Sequence, residues 1–376
     1  MNNRVYFLDA LRTFVIALVV VYHVTLLYTK QFQFVQNPVP QASNQLFMLL
    51  TFLINGPMLN SIMFFIAGYF ALEAYQRKGG RAFIKDKLKK LGIPYFGGLV
   101  TLAPLTQYIA NRSWGSNTGL GQFWLKEFFQ PQTINPHHLW FIGILLLFFL
   151  IATPLFARLQ NREYQVIQQK RDVQNRVLVL FLLITFTIYY SLSFFYEAHV
   201  FISFYLFKFS PVMLPIYAAY FGLGVYASRQ MWFTEKGTER IYPWGIAYVG
   251  CIILYVGTAI LADISPIDQV GKFIRVENHP LMAFAVNGII FTGMMLLIAL
   301  FKKYTNKASA VMAWLSKNSY GAYLVHFLIV YVVVYLMCDT PLPLMAKYIF
   351  QALLCLSLTW TVAAFLKGHT PLRTWL

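Results

Sequence analysis

The sequence predicts an all-α polytopic membrane protein of about ten transmembrane helices, with both termini in the cytoplasm. Three observations predict it. Of 376 residues, 59% are hydrophobic and only 11% charged, too little charge to cover a water-soluble domain of this length. The apolar residues fall into blocks of roughly 20, the length that crosses a bilayer as a helix. The basic residues gather in alternate connections, the asymmetry that orients membrane proteins.

Taken in order, the spans fall near 8–28, 49–74, 92–110, 138–158, 177–196, 208–228, 243–262, 281–301, 317–338 and 345–366. They follow one another too closely for a separate soluble domain, so 1–376 reads as one membrane domain. No small-residue cleavage site follows the first block, which makes it an uncleaved signal anchor. Segment 77–91 alternates basic and apolar residues and predicts an amphipathic stretch at the cytoplasmic surface, entering the third span at Pro94. The outer connections near 29–48 and 111–137 carry loop chemistry, such as Asn37-Pro38 and Gly115-Ser116-Asn117. The inner segment 159–176 is polar and mixed in charge, as expected of a short cytoplasmic helix. No internal repeat is evident.

With the N-terminus inside, cytoplasmic segments hold 22 of the 30 lysines and arginines and the outer side 7, with Arg12 inside the first span. The net charge of +17 therefore orients the chain and implies no nucleic-acid partner. Cys251, Cys338 and Cys355 lie in or beside spans and form neither a disulfide framework nor a metal-binding spacing. No metal-ligand motif, Gly-rich phosphate loop or serine-nucleophile motif occurs.

Ionisable side chains inside spans are costly, which makes Asp9, Arg12 and His23 of the first span candidates for function. The 11 residues from Arg12 to His23 turn a helix roughly 20° beyond three full turns, so both side chains share a face, roughly 16 Å apart along the axis. Asp9, three residues before Arg12, is within pairing reach. Two accounts fit this stripe. It is a site of chemistry, or Arg12 snorkels to lipid headgroups and His23 is a hydrogen-bonded core histidine.

Leu8-Asp9-Ala10-Leu11-Arg12, followed by Tyr22-His23, resembles the first span of the acyltransferase-3 family of membrane acyltransferases. Four further segments resemble the family in the same order. They are Phe64-Phe65-Ile66-Ala67-Gly68-Tyr69, Lys87-Leu88-Lys89-Lys90-Leu91-Gly92-Ile93-Pro94, His138-Leu139-Trp140-Phe141, and Ser319-Tyr320-Gly321-Ala322-Tyr323-Leu324-Val325-His326. Two departures stand out. Lys87 and Lys90 replace a usual pair of arginines, keeping point charge but not the bidentate fork, and Ala67 replaces a usual serine.

The resemblance implies a multi-pass cell-membrane enzyme that moves an acetyl or succinyl group. The donor would be cytoplasmic acyl-coenzyme A, and the acceptor a hydroxyl of an extracytoplasmic glycan or lipid-linked sugar. It implies His23 as general base, supported by Arg12, since a neutral imidazole works near pH 7. Arg12, Lys87 and Lys90 would face the donor phosphates, while His138, Trp140, Tyr323 and His326 would line the acceptor or acyl path. Acyl-coenzyme A would act as a substrate rather than a resident cofactor, and membrane lipids would be the other partners. Other roles remain open for single residues: headgroup attraction for the lysines, interfacial anchoring for Trp140, and packing for Tyr323 and His326. The alternative function is a transporter or flippase of a sugar-linked lipid or organic anion, disfavoured by the lack of repeats and the near-absence of acidic residues from span interiors.

Overall fold

The computed structural model describes residues 5–32, 34–130, 133–160, 171–233, 240–262, 279–305, 307 and 309–369. The long helices are α1 (Tyr6–Leu26), α2 (Gln41–Ile54), α3 (Gly56–Lys78), α4 (Gly80–Lys87), α5 (Ile93–Val100) and α6 (Leu102–Ser113). They continue with α7 (Trp140–Gln160), α8 (Arg171–Ser193), α9 (Met213–Arg229), α10 (Ile241–Leu261), α11 (Pro280–Tyr304), α12 (Ala310–Leu336) and α13 (Leu344–His369). Among the described residues, eight helical stretches are long and apolar enough to cross a membrane, α2 and α3 together making one of them. The protein is thus an all-α, multi-pass membrane protein. The two remaining expected blocks are helical but shorter: α9 has 17 residues, and the third block divides into α5 and α6.

Each interruption has a local cause. Between α2 and α3, Asn55 adopts φ 53°, and its side chain accepts from the Met58 N–H at 3.1 Å. Asparagine tolerates this left-handed conformation and caps a helix, and Pro57 fits a first turn where no N–H is needed. The expected span 49–74 is therefore bent at its start rather than straight. Between α5 and α6, Pro104 offers no N–H to the Val100 carbonyl, and the chain breaks at Thr101. The expected span from 208 begins late because Ile202–Phe204 and Phe207–Phe209 pair as an antiparallel hairpin. Ser210 then accepts from the Met213 N–H at 3.2 Å and starts α9. The helix expected over 159–176 falls largely outside the described residues.

Helix α1 lies at the centre, packed against α2, α3, α11, α12 and α13. It runs parallel to α12, since Arg12 meets Ser316 at one end and His23 meets His326 further along. Helix α13 returns antiparallel, with Trp360 Nε1 donating to Leu315 O at 3.0 Å and Tyr348 bonded to Thr25 at 2.9 Å. Helices α3 and α9 cross with backbones almost touching. A Cβ on Gly68 would lie 2.0 Å from the Phe221 carbonyl oxygen, and one on Gly224 2.1 Å from that of Phe65. Lipid tails are as apolar as leucine, so helices in a bilayer associate through such close contacts between small residues. At the periphery, α10 turns Tyr242, Ile246, Val249, Ile253 and Ile260 outward, an apolar stripe at helical spacing suited to lipid contact.

Candidate active site

Three histidines from three helices converge at one end of the α1–α12 seam. The His23 Nδ1 lies 2.7 Å from the Val19 carbonyl oxygen. A carbonyl only accepts, so Nδ1 carries the proton and Nε2 the lone pair. His326 repeats the arrangement, its Nδ1–H donating to Tyr323 O at 2.6 Å. His138 takes the opposite tautomer, with Nε2–H donating to Leu324 O at 2.9 Å and the lone pair on Nδ1. His326 Nε2 and His138 Nδ1 are buried and have no hydrogen-bond partner among the described residues. The centre of the His326 ring lies 5.0 Å from that of His23 and 4.8 Å from that of His138.

Tyr323 joins the group by donating its hydroxyl to the His138 carbonyl. Phe327 packs against all of it, 4.9 Å from His23 and stacked at 5.0 Å on His138. Helical geometry alone predicts that only one of His137 and His138 faces the site. Both do: His137 also packs on Phe327, at 5.5 Å. The cause is local, because His137 has φ 47° and precedes the regular helix, where the 100° step does not apply. Among the described residues, no carboxylate comes within ion-pair distance of His23, His138 or His326. Nor does any group of three metal-ligating side chains among them suit an ion.

Trp140 stands beside this cluster rather than in it. Its ring lies over Tyr217 at 5.9 Å and against Phe201, just before the hairpin, at 5.2 Å. The Tyr217 hydroxyl accepts from Asn60 Nδ2 at 3.3 Å. Phe327, Tyr217 and Ser316 carry no sequence signal that separates them from ordinary packing residues.

Arg12 marks the far end of the seam. Its guanidinium pairs with Asp9 at 3.3 Å, as the spacing of three predicts, and donates to Ser316 Oγ at 3.1 Å. The same end receives the basic segment. A π-helical turn, Leu88–Gly92, links α4 to α5, and Pro94 cannot donate to the Lys90 carbonyl. That carbonyl instead accepts from the Tyr320 hydroxyl of α12 at 2.7 Å. The Lys90 ammonium pairs with Asp86 at 3.1 Å, and Lys78 pairs with the same carboxylate at 2.7 Å. Burial would raise the Asp86 carboxyl, but hydrogen bonds and charge from Lys78 and Lys90 hold it below its ordinary value.

Lys87 is separated from Lys90. Its ammonium sits 3.8 Å above the Phe149 ring and 5.2 Å from that of Phe83, and burial pulls its pKa down to about 8. The ring face attracts the cation and opposes that shift. The structure thus brings together His23, His138, Tyr323 and His326, sets Trp140 beside them, and places Arg12 and Lys90 at the other end of the seam.

Neutral imidazoles with fixed tautomers and unengaged lone pairs, held inside a helical membrane bundle, suit proton abstraction during group transfer. The chain belongs to the acyltransferase-3 family, whose acyltransferase domain matches residues 5–366. It is an integral-membrane member of that family. Over 165 residues it is 27% identical to glucans biosynthesis protein C of Escherichia coli (strain SMS-3-5 / SECEC). It is equally similar to the protein of that name from Shigella boydii serotype 4 (strain Sb227). Each match covers 42% of this chain and 40% of the relative, so the chain spans about two fifths of the length of these curated relatives. No solved structure is a significant match.

Proposed function

We propose that the protein transfers an acetyl or succinyl group from cytoplasmic acyl-coenzyme A to a hydroxyl of an extracytoplasmic glycan or lipid-linked sugar. The observation that carries this reading is His23: its Nδ1–H is committed to Val19 O, which leaves Nε2 as the nitrogen able to act as a base. In the proposed step, the acceptor hydroxyl gives its proton to His23 Nε2 as its oxygen attacks the thioester carbonyl. The carbon–sulfur bond breaks, and the departing thiolate takes that proton as coenzyme A. Both relatives are named for glucan biosynthesis, which supports a glucan-type acceptor.

The donor approaches from the Arg12 end. Positive-inside charge supports a cytoplasmic setting for that end, where Arg12 and the half-exposed Lys90 would supply cations for the donor phosphates. Lys87, held over Phe149, supports the segment instead of reaching outward. The test supplies isolated membranes with labelled acetyl- or succinyl-coenzyme A and glucan acceptors. His23→Ala is expected to lower kcat by about 10²- to 10⁴-fold. Full transfer by that variant would remove His23 from the role. Passage of an unmodified substrate into proteoliposomes, without any transfer, would overturn the enzyme reading of the site.

A further inference from the structure

A histidine base that takes a proton inside a bilayer acquires a positive charge in a poor solvent for ions. Hydrolytic triads answer this with a buried carboxylate behind the imidazole. Here no carboxylate among the described residues is in reach of His23, and its Nδ1–H is bonded to a neutral carbonyl. The neighbour that can answer the charge is another imidazole. His326 is fully buried, its Nε2 has no partner, and its ring centre lies 5.0 Å from that of His23. An N–H···N bond of about 2.9 Å between two imidazoles separates their centres by about 5 Å. In the resting tautomers both Nε2 atoms hold lone pairs, and no hydrogen bond joins the two rings. A proton arriving on either one lets the neighbouring rings turn their Nε2 atoms together and bond.

We propose that His326 is the positioning residue that stabilises protonated His23, the two rings sharing the abstracted proton as an imidazole–imidazolium pair. The assignment rests on the acyl-transfer reading above. The acceptor O–H bond breaks, and its proton goes to His23 Nε2, hydrogen-bonded to His326 Nε2. The new carbon–oxygen bond replaces carbon–sulfur, and the thiolate sulfur takes the proton from the pair. His326 acts only through His23, because it is fully buried. His138, 4.8 Å from His326 on the other side, holds that ring between two imidazoles, and Tyr323 O fixes its tautomer. The other titratable groups facing the pair are Tyr22 on α1, Tyr323 on α12, and His137 and His138 at the head of α7. Lys208, bonded to Asn135 two residues before His137, is the cation on that side.

The experiment compares His326→Asn and His326→Gln with the unaltered protein in detergent, measuring kcat and KM for acyl-coenzyme A across pH. Asparagine keeps a donor for Tyr323 O but loses the acceptor at the Nε2 position, whereas the longer glutamine can return an acceptor there. The expected result for His326→Asn is a fall in kcat of about 10²-fold with KM within twofold. Its acid limb moves to lower pH by about one unit, because protonated His23 is less stabilised. His326→Gln is expected to recover at least fivefold of the lost kcat and part of the shift. An acid limb left in place, or a glutamine variant no better than asparagine, would reduce His326 to packing and overturn the proposal while leaving acyl transfer standing. If one variant fails to fold, the acid limb of the other decides. An unaltered protein with no acyl-coenzyme A-dependent transfer would refute the function itself, a separate outcome.

Discussion

Lys87 shows how a single side chain can belong to a motif and still answer to its surroundings. Its ammonium lies over the rings of Phe83 and Phe149, and burial draws its pKa from 10.5 to about 8. A lysine whose folded pKa is depressed binds fewer protons folded than unfolded between those two values, so stability rises with pH across about 8 to 10.5. Replacing it with methionine, Lys87→Met, is expected to flatten that rise in a series of thermal midpoints, with donor KM within twofold. An undiminished rise would assign the pH dependence to another group. Arg12 and His23 stood out in the sequence because an ionisable group in a span needs a reason to be there, whereas His138 and His326 came forward only through the family resemblance of their segments. The histidine tautomers were not legible, since each depends on which carbonyl another turn or another helix presents. His137 escaped for a related reason: helical phase applies only after a helix has begun, and this residue stands at its threshold with a positive φ.

At the scale of elements, two motif segments acquire packing explanations. The glycine of Phe64-Phe65-Ile66-Ala67-Gly68-Tyr69 exists so that α9 can pass, its missing side chain occupied by the Phe221 carbonyl. Gly68→Ala forces a methyl group into the Phe221 carbonyl of the facing backbone, which no rotamer change relieves, and is expected to exceed the usual cost of about 1–3 kcal/mol for overpacking. Loss of monodisperse protein in detergent would register it, and a normally behaved variant would contradict the crossing. The proline of Ile93-Pro94 works differently, releasing the Lys90 carbonyl for the Tyr320 hydroxyl and so linking α12 to the basic segment. Tyr320→Phe is expected to cost about 1 kcal/mol and to raise donor KM several-fold at constant kcat. An unchanged KM would separate that link from donor binding. Apolar block lengths located the spans, but the breaks at Asn55 and Thr101 and the short hairpin were less visible. A lone asparagine or proline among apolar residues has many outcomes, and three-residue strands are too brief for alternation to register.

Across the whole molecule, the charge asymmetry assigns opposite sides to Lys90 and to the hairpin tip at Tyr205, which is 85% exposed. With the three native cysteines replaced, Lys90→Cys is expected to react with impermeant thiol reagents only from the cytoplasmic side, and Tyr205→Cys only from the other. Labelling of both from one side would overturn the orientation and, with it, the direction of transfer. The parallel pairing of α1 with α12 carries a consequence for how the protein is made. Arg12 and its Ser316 partner are 304 positions apart. At about 5–20 residues per second, roughly a quarter of a minute to a minute of synthesis separates them. Throughout that interval the polar stripe of the first helix is already in the membrane without the helix that completes it. A ribosome stalled before residue 310 would release a chain with most of its membrane helices in place and no assembled site. The histidine cluster therefore assembles late in translation and all at once.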